Sequence, residues 1–185
     1  GLAGTFRKAA GDYEQAIANY NAFIKTFPKD AQLTRLRLGI AAIYFENERW
    51  SAAAKAYYDL FTKPPSDMTK DRVFECRMQY GKAIEAQSKD ASKHWRYTLQ
   101  EYERAVKAKE ELAKAHGYAA ELMYKQIQPE LEKYMALEIS GPGPGRASES
   151  YINNVIKGQL KKKYTAANKL DAELKKIYML QGGEW

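Results

Sequence analysis

Apolar residues along this chain recur at intervals of three and four with polar residues between them, the spacing that lines one face of an α-helix. From Ser92 to about Glu138 the register is kept by Leu99, Tyr102, Ala105 or Val106, Leu112, Ala119, Leu122, Ile127, Leu131 and Leu137. It predicts one long helix, or two joined near Gly117, with Pro129 beginning or kinking a helix. Tyr151, Val155, Ile156, Leu160, Tyr164, Leu170, Leu174 and Ile177 predict another helix, N-capped by Ser148 and ended by Gly182-Gly183. Between the two, Ser140-Gly-Pro-Gly-Pro-Gly145 forbids helix and strand ladders alike and predicts an exposed linker over 140–147. No Asn-Gly or Asp-Gly hairpin turn separates alternating apolar runs, so the fold class is all-α.

The N-terminal part carries a stronger pattern. Gly11-Asp12-Tyr13-x2-Ala16-x3-Tyr20-x2-Phe23-x4-Pro28 returns as Trp50-x2-Ala53-x3-Tyr57-x2-Leu60-x4-Pro65, a period of 37 residues. Such a period marks stacked helical hairpins. A small residue is needed where two helices cross closely, which suits Ala16 and Ala53, and an aromatic one turn later fills the space between hairpins, which suits Tyr20 and Tyr57. Proline lacks the N–H and clashes with the preceding turn, so Pro28, Pro64 and Pro65 end the second helix of each pair. Ile40, Ala41 and Tyr44 supply the first helix of the second pair, with Arg37 where a Trp is expected. A third, longer unit joins Tyr80-Gly81-x2-Ile84 to Trp95-x2-Thr98-x3-Tyr102-x2-Ala105; about five extra residues precede Trp95, Thr98 replaces the alanine and no proline follows. The competing interpretation is an ordinary helical bundle whose buried seams have the same spacing.

These residues resemble the tetratricopeptide repeat family, with units at 1–28, 29–65 and 66–112, and Gly4 stands where the family carries its first-helix glycine. The chain as given then begins inside a helix at Gly1, and Glu184-Trp185 looks like the opening of another. The resemblance implies a right-handed α-solenoid over 1–139 followed by longer helices, and a basic helical segment over 148–185. In the family, first helices line a concave groove that holds a segment of a partner protein or peptide. Carried onto this chain, the groove positions are Arg35, Leu38, Ala42, Phe45 and Glu46, followed by Glu75, Met78, Lys82 and Glu85. The Lys/Asn clamp of chaperone-tail-binding members is missing. The run Gly11 to Asp30 is similar in style to repeats of bacterial cell-envelope proteins, which implies a periplasmic or envelope address and a precursor with an export signal, the cytoplasm being the alternative. The second functional expectation is a structural, self-associating segment of a larger solenoid without a peptide groove.

Charge adds a possible surface partner. The formal net charge is +7, and residues 146–185 hold 8 Lys and Arg against 4 Asp and Glu. Lys157, Lys161, Lys162 and Lys163 are candidates for peripheral contact with an anionic surface, with simple solvation as the plainer account. No nucleic-acid recognition module accompanies them, so no specific nucleic-acid partner is expected. No run approaches the roughly 18 apolar residues of a membrane-spanning helix. His94 and His116 are far apart and lack ligand spacing, so no metal is expected. Cys76 lies on the inner face of its helix, as a buried small apolar residue would. Without a nucleophile elbow, P-loop or dinucleotide fingerprint, neither a cofactor nor an enzyme is expected.

Overall fold

A computed structural model describes residues 13–139 and 148–180. Gly1, Gly4, Gly11, the 140–147 linker, Gly182-Gly183 and Glu184-Trp185 lie outside the described residues. Every regular element described is helical: α1 (Tyr13–Thr26), α2 (Leu33–Glu46), α3 (Trp50–Thr62), α4 (Lys70–Ala86), α5 (Ser92–Lys107), α6 (Ala115–Met135), α7 (Glu149–Asn154), a π-helical segment (Val155–Leu160) and α8 (Lys161–Leu180). Among the described residues no helix is long and apolar enough to cross a membrane.

Two kinds of helix ending occur in the first five helices. α1 stops two residues before Pro28 and α3 two before Pro64, as proline geometry requires. By contrast, α2, α4 and α5 are followed by a non-glycine residue in the left-handed conformation: Glu48 at φ 58°, Ser88 at φ 57° and Lys109 at φ 55°. The next backbone N–H then reaches back five residues, Arg49 to the Tyr44 carbonyl, Lys89 to Ile84 and Glu110 to Ala105. This is the bonding of a Schellman turn, which satisfies carbonyls the helix end leaves open. Asn47 Nδ2 and Gln87 Nε2 repeat one further device, donating to the carbonyl four residues earlier at 2.8 and 2.9 Å. The pairs Asn47/Gln87 and Ala41/Gly81 share an interval of 40, so the extra residues of the third unit fall between Gln87 and Trp95, partly in the turn and partly as the first residues of α5.

The break after α5 is displaced from the expected one. It lies at 108–114, and Gly117 sits inside the first turn of α6. Its cause is distant in sequence: Asp71 accepts hydrogen bonds from the backbone N–H groups of Ala113 (3.1 Å) and Ala115 (2.9 Å), capping α6 from α4. Partial burial alone would raise the Asp71 pKa, but the N–H groups of Lys114, Ala115 and Ala113, aided by His116, outweigh it and hold the carboxyl below its ordinary value. Pro129 lies within α6 and does not begin a helix. Ser148 caps α7 as expected, its Oγ accepting from the Tyr151 N–H at 3.1 Å.

The chain divides into two compact units, Gly1–Tyr118 and Ala119–Trp185, the division falling inside α6. In the first, each of α1 to α4 packs against the helix that follows it. Ala16 and Ala53 are both 0% exposed, at the centres of two core clusters, one with Ile17, Ile40 and Ile43 and the other with Ala41, Tyr57, Leu60, Phe61 and Cys76. Burial, with the Glu75 charge adding, pushes the Cys76 thiol up to about 12, so it stays protonated and inert as a nucleophile. Trp95, Thr98, Tyr102 and Ala105 are buried along α5. Gly81 lets α4 and α5 meet: a Cβ there would lie 1.9 Å from Cη2 of the Trp95 ring. In the second unit the buried described residues are Ala119, Ala120 and Leu122 on α6 and Leu170 and Ile177 on α8.

Candidate partner-binding site

Helical spacing places Arg35, Leu38, Ala42 and Phe45 along one face of α2, with Glu46 at its end. Arg35 and Glu46 are exposed, while Leu38, Ala42 and Phe45 are half-buried. The Phe45 ring packs edge-on against Trp50 at 5.1 Å and Tyr57 at 6.2 Å, and Leu38 joins it against the larger core cluster. Phe45 is therefore part of the packing as well as of the face, so its removal would disturb the fold together with any contact it makes.

The α4 positions are more committed. Met78 is a correction: at 1% exposure its side chain is core and presents nothing to a groove. It shares the inner stripe of α4 with Phe74 and Gly81 at helical spacing, and that stripe, with Trp95 closed over Gly81, faces the protein interior. Glu75 is half-buried and paired with Arg72 at 2.6 Å. Glu85 Oε1 accepts a hydrogen bond from Trp95 Nε1 at 2.7 Å. Lys82 is half-buried.

A second feature, which sequence reasoning missed, is a cleft of about 500 Å³ lined by the end of α3, the loop after it, α4 and α5. Phe61, Met68, Val73 and Phe74 form apolar walls, and Lys70, Arg77, Arg104, Glu101 and Glu110 bring charge. Arg104 is paired with Glu101 at 2.5 Å, and Lys70 Nζ lies 3.2 Å from Glu110 Oε2 in an ion pair without hydrogen-bond alignment. Arg77, only 9% exposed, stacks over the rings of Phe61 (4.7 Å) and Tyr97 (5.3 Å). Its Nη1 is buried and has no hydrogen-bond partner among the described residues. One signal was available in the sequence: Arg77 is a cation three residues from Phe74 and four from Gly81, on the inner stripe of α4.

The Arg77 backbone carbonyl accepts a further hydrogen bond: His94 Nε2 lies 2.8 Å from that oxygen and so carries the proton. His94 also packs edge-on to Tyr80 at 4.7 Å. Burial first, then the Arg77 charge, hold His94 below its ordinary pKa, against the opposing pull of the Arg77 carbonyl. His116 is apart from it, with Nδ1 2.6 Å from the Tyr102 hydroxyl. Among the described residues no three His, Cys, Asp or Glu side chains gather as a metal site.

Of the lysines in the second unit, Lys157, Lys161 and Lys162 are exposed. Lys163 is engaged internally, donating to the Leu137 carbonyl at 2.7 Å and lying 5.5 Å from the Tyr134 ring centre. Compared with protein families, curated proteins and solved structures, the chain matches none of them.

Proposed function

We propose that this chain is a protein–protein interaction scaffold of the tetratricopeptide type, an α-solenoid that holds a partner segment against the α2 face, within a bacterial envelope assembly. One observation carries the reading. At the 37-residue register Ala16 and Ala53 are wholly buried, and on α2 itself Leu36, Ile40, Ala41 and Ile43 are buried whereas Arg35, Leu38, Ala42 and Glu46 keep part of their surface in solvent, which supports a packed side and a side open to a partner. Arg35 and Glu46 with Leu38 between them suit a peptide held by apolar contact and one or two charges. The α4 residues enter this proposal less, because Met78 is core and Glu85 serves Trp95.

Photo-crosslinking in the cell of origin tests the reading. A crosslinker placed at Leu38 or Ala42 is expected to trap a discrete partner that one placed at Lys55, exposed on α3, does not. Equal trapping from both helices removes the α2 proposal. Ala42 is the decisive position, because Leu38 packs against the larger core cluster; circular dichroism of each crosslinker-bearing chain confirms that it is folded. Trapping of a second copy of this chain would instead favour a self-associating structural segment.

A further inference from the structure

Among the described residues, charge bookkeeping in the α3–α5 cleft leaves one cation over. Lys70, Arg77 and Arg104 face Glu101 and Glu110, and the two carboxylates are taken by Arg104 and Lys70. Arg77 has two aromatic faces, the Tyr97 hydroxyl and the more distant charge of Glu101, but Nη1 has no acceptor and the guanidinium no carboxylate of its own among the described residues. A guanidinium stays charged at any physiological pH, and a buried charged donor without a partner is costly. Native proteins seldom retain such a group unless something satisfies it. The cleft also has apolar walls in Phe61, Met68, Val73 and Phe74, and its volume suits a small molecule or a single side chain with its backbone.

We propose that this cleft is a binding site for a carboxylate carried on an apolar body, the carboxylate pairing with Arg77 and the body lying against Val73 and Phe74. Arg–carboxylate pairing supplies two parallel N–H···O bonds, and a carboxylate brought to Nη1 gives that donor its acceptor. Repulsion from Glu101 and Glu110 is offset because each already has a cation beside it. The site uses Val73, Phe74 and Arg77 and none of the α2 face, so it stands or falls independently of the scaffold reading.

N-acetyl-phenylalanine and its neutral isostere N-acetyl-phenylalaninamide, titrated into the full chain and followed by NMR, provide the test. The acid is expected to saturate with an affinity at least about tenfold above the amide, as a hydrogen bond to a charged group implies. Intermolecular NOEs should run from the probe ring to Val73 and Phe74. In Arg77→Met the acid should fall to the level of the amide. Should that variant fail to fold, the acid–amide ratio and the NOEs in the unsubstituted chain decide. Acid and amide binding within twofold of each other, or NOEs to other residues only, would overturn the proposal.

Discussion

The two units of this chain spend their apolar residues differently. In Gly1–Tyr118 the large side chains Tyr57, Phe61, Phe74, Trp95 and Tyr102 are buried, Phe74 edge-on against Tyr102, while Phe27, Tyr58, Tyr97 and Val106 stay exposed. In Ala119–Trp185, Tyr124, Met135, Ile139, Ile152, Leu160, Tyr164, Leu174 and Met179 all remain exposed, Tyr164 at 68%. Both units are built of helices whose apolar residues recur at helical spacing. Apolar periodicity alone thus makes a helix without making a core; the first unit adds small residues at the crossing points and aromatics to fill the gaps they open.

Substitutions at those crossing points should separate the units most sharply. Trp95→Ala is expected to cost about 3–5 kcal/mol, because a buried indole leaves a large cavity and its hydrogen bond to Glu85 is lost. Gly81→Ala should cost about 3 kcal/mol through overpacking against the same ring, and the two together should cost well under their sum. In the second unit Gly158→Ala meets only the Asn154 side-chain oxygen at 3.2 Å and gains helix propensity, so it should change stability by about 1 kcal/mol or less. Tyr164→Ala should fall within about 0.5 kcal/mol of the parent. Urea titration of the four variants checks the ranking.

The next effect concerns how the first unit holds the start of α6. Asp71→Asn should lose about 1 kcal/mol at neutral pH, the value of an N-terminal acceptor. Since the folded-state pKa of Asp71 is depressed, its contribution is complete above the ordinary value of 3.8 and disappears as pH falls through the folded value. The gap between parent and variant should therefore close in acid, which urea midpoints across that range would reveal. A slightly smaller gain is expected at the left-handed residue after α5: Lys109→Gly removes a Cβ penalty and should stabilise by up to about 1 kcal/mol, read from the same titrations.

How much of this was legible in the sequence depends on how local its cause is. Pro28 and Pro64 stop their helices by their own stereochemistry, and Ala16, Ala53 and Trp95 disclosed their burial through spacing. The Schellman turns at Glu48, Ser88 and Lys109 were missed because none is a glycine or asparagine, the residues that announce this conformation. The break before α6 was placed at Gly117 because its cause, Asp71, is 42 and 44 residues away from the amides it binds. Met78 shows the limit of carrying family positions across: the register was readable, but closure of Trp95 over Gly81 turned that stripe inward. Arg77 was visible as a cation on an apolar stripe, yet its lack of a carboxylate emerges only when the pairings of Lys70 and Arg104 are known.

The smallest expected effect is a pH slope confined to the first unit. His94 is held below its ordinary value of 6.5, so between the two values the unfolded chain binds more protons and stability rises with pH. Its contribution is complete above 6.5 and is lost as pH falls through the folded value. His94→Gln should flatten this segment of the stability profile; an unchanged slope would assign it elsewhere.

Native-state amide hydrogen exchange on the full chain tests the contrast between the units most directly. The account predicts that the central amides of α3, α4 and α5 exchange only through the largest opening free energy in the molecule, while those of α8 exchange through smaller, local openings. Protection in α8 equal to or above that in α4 would contradict it, because it would mean that apolar periodicity suffices without the alanine, glycine and aromatic register of the first unit.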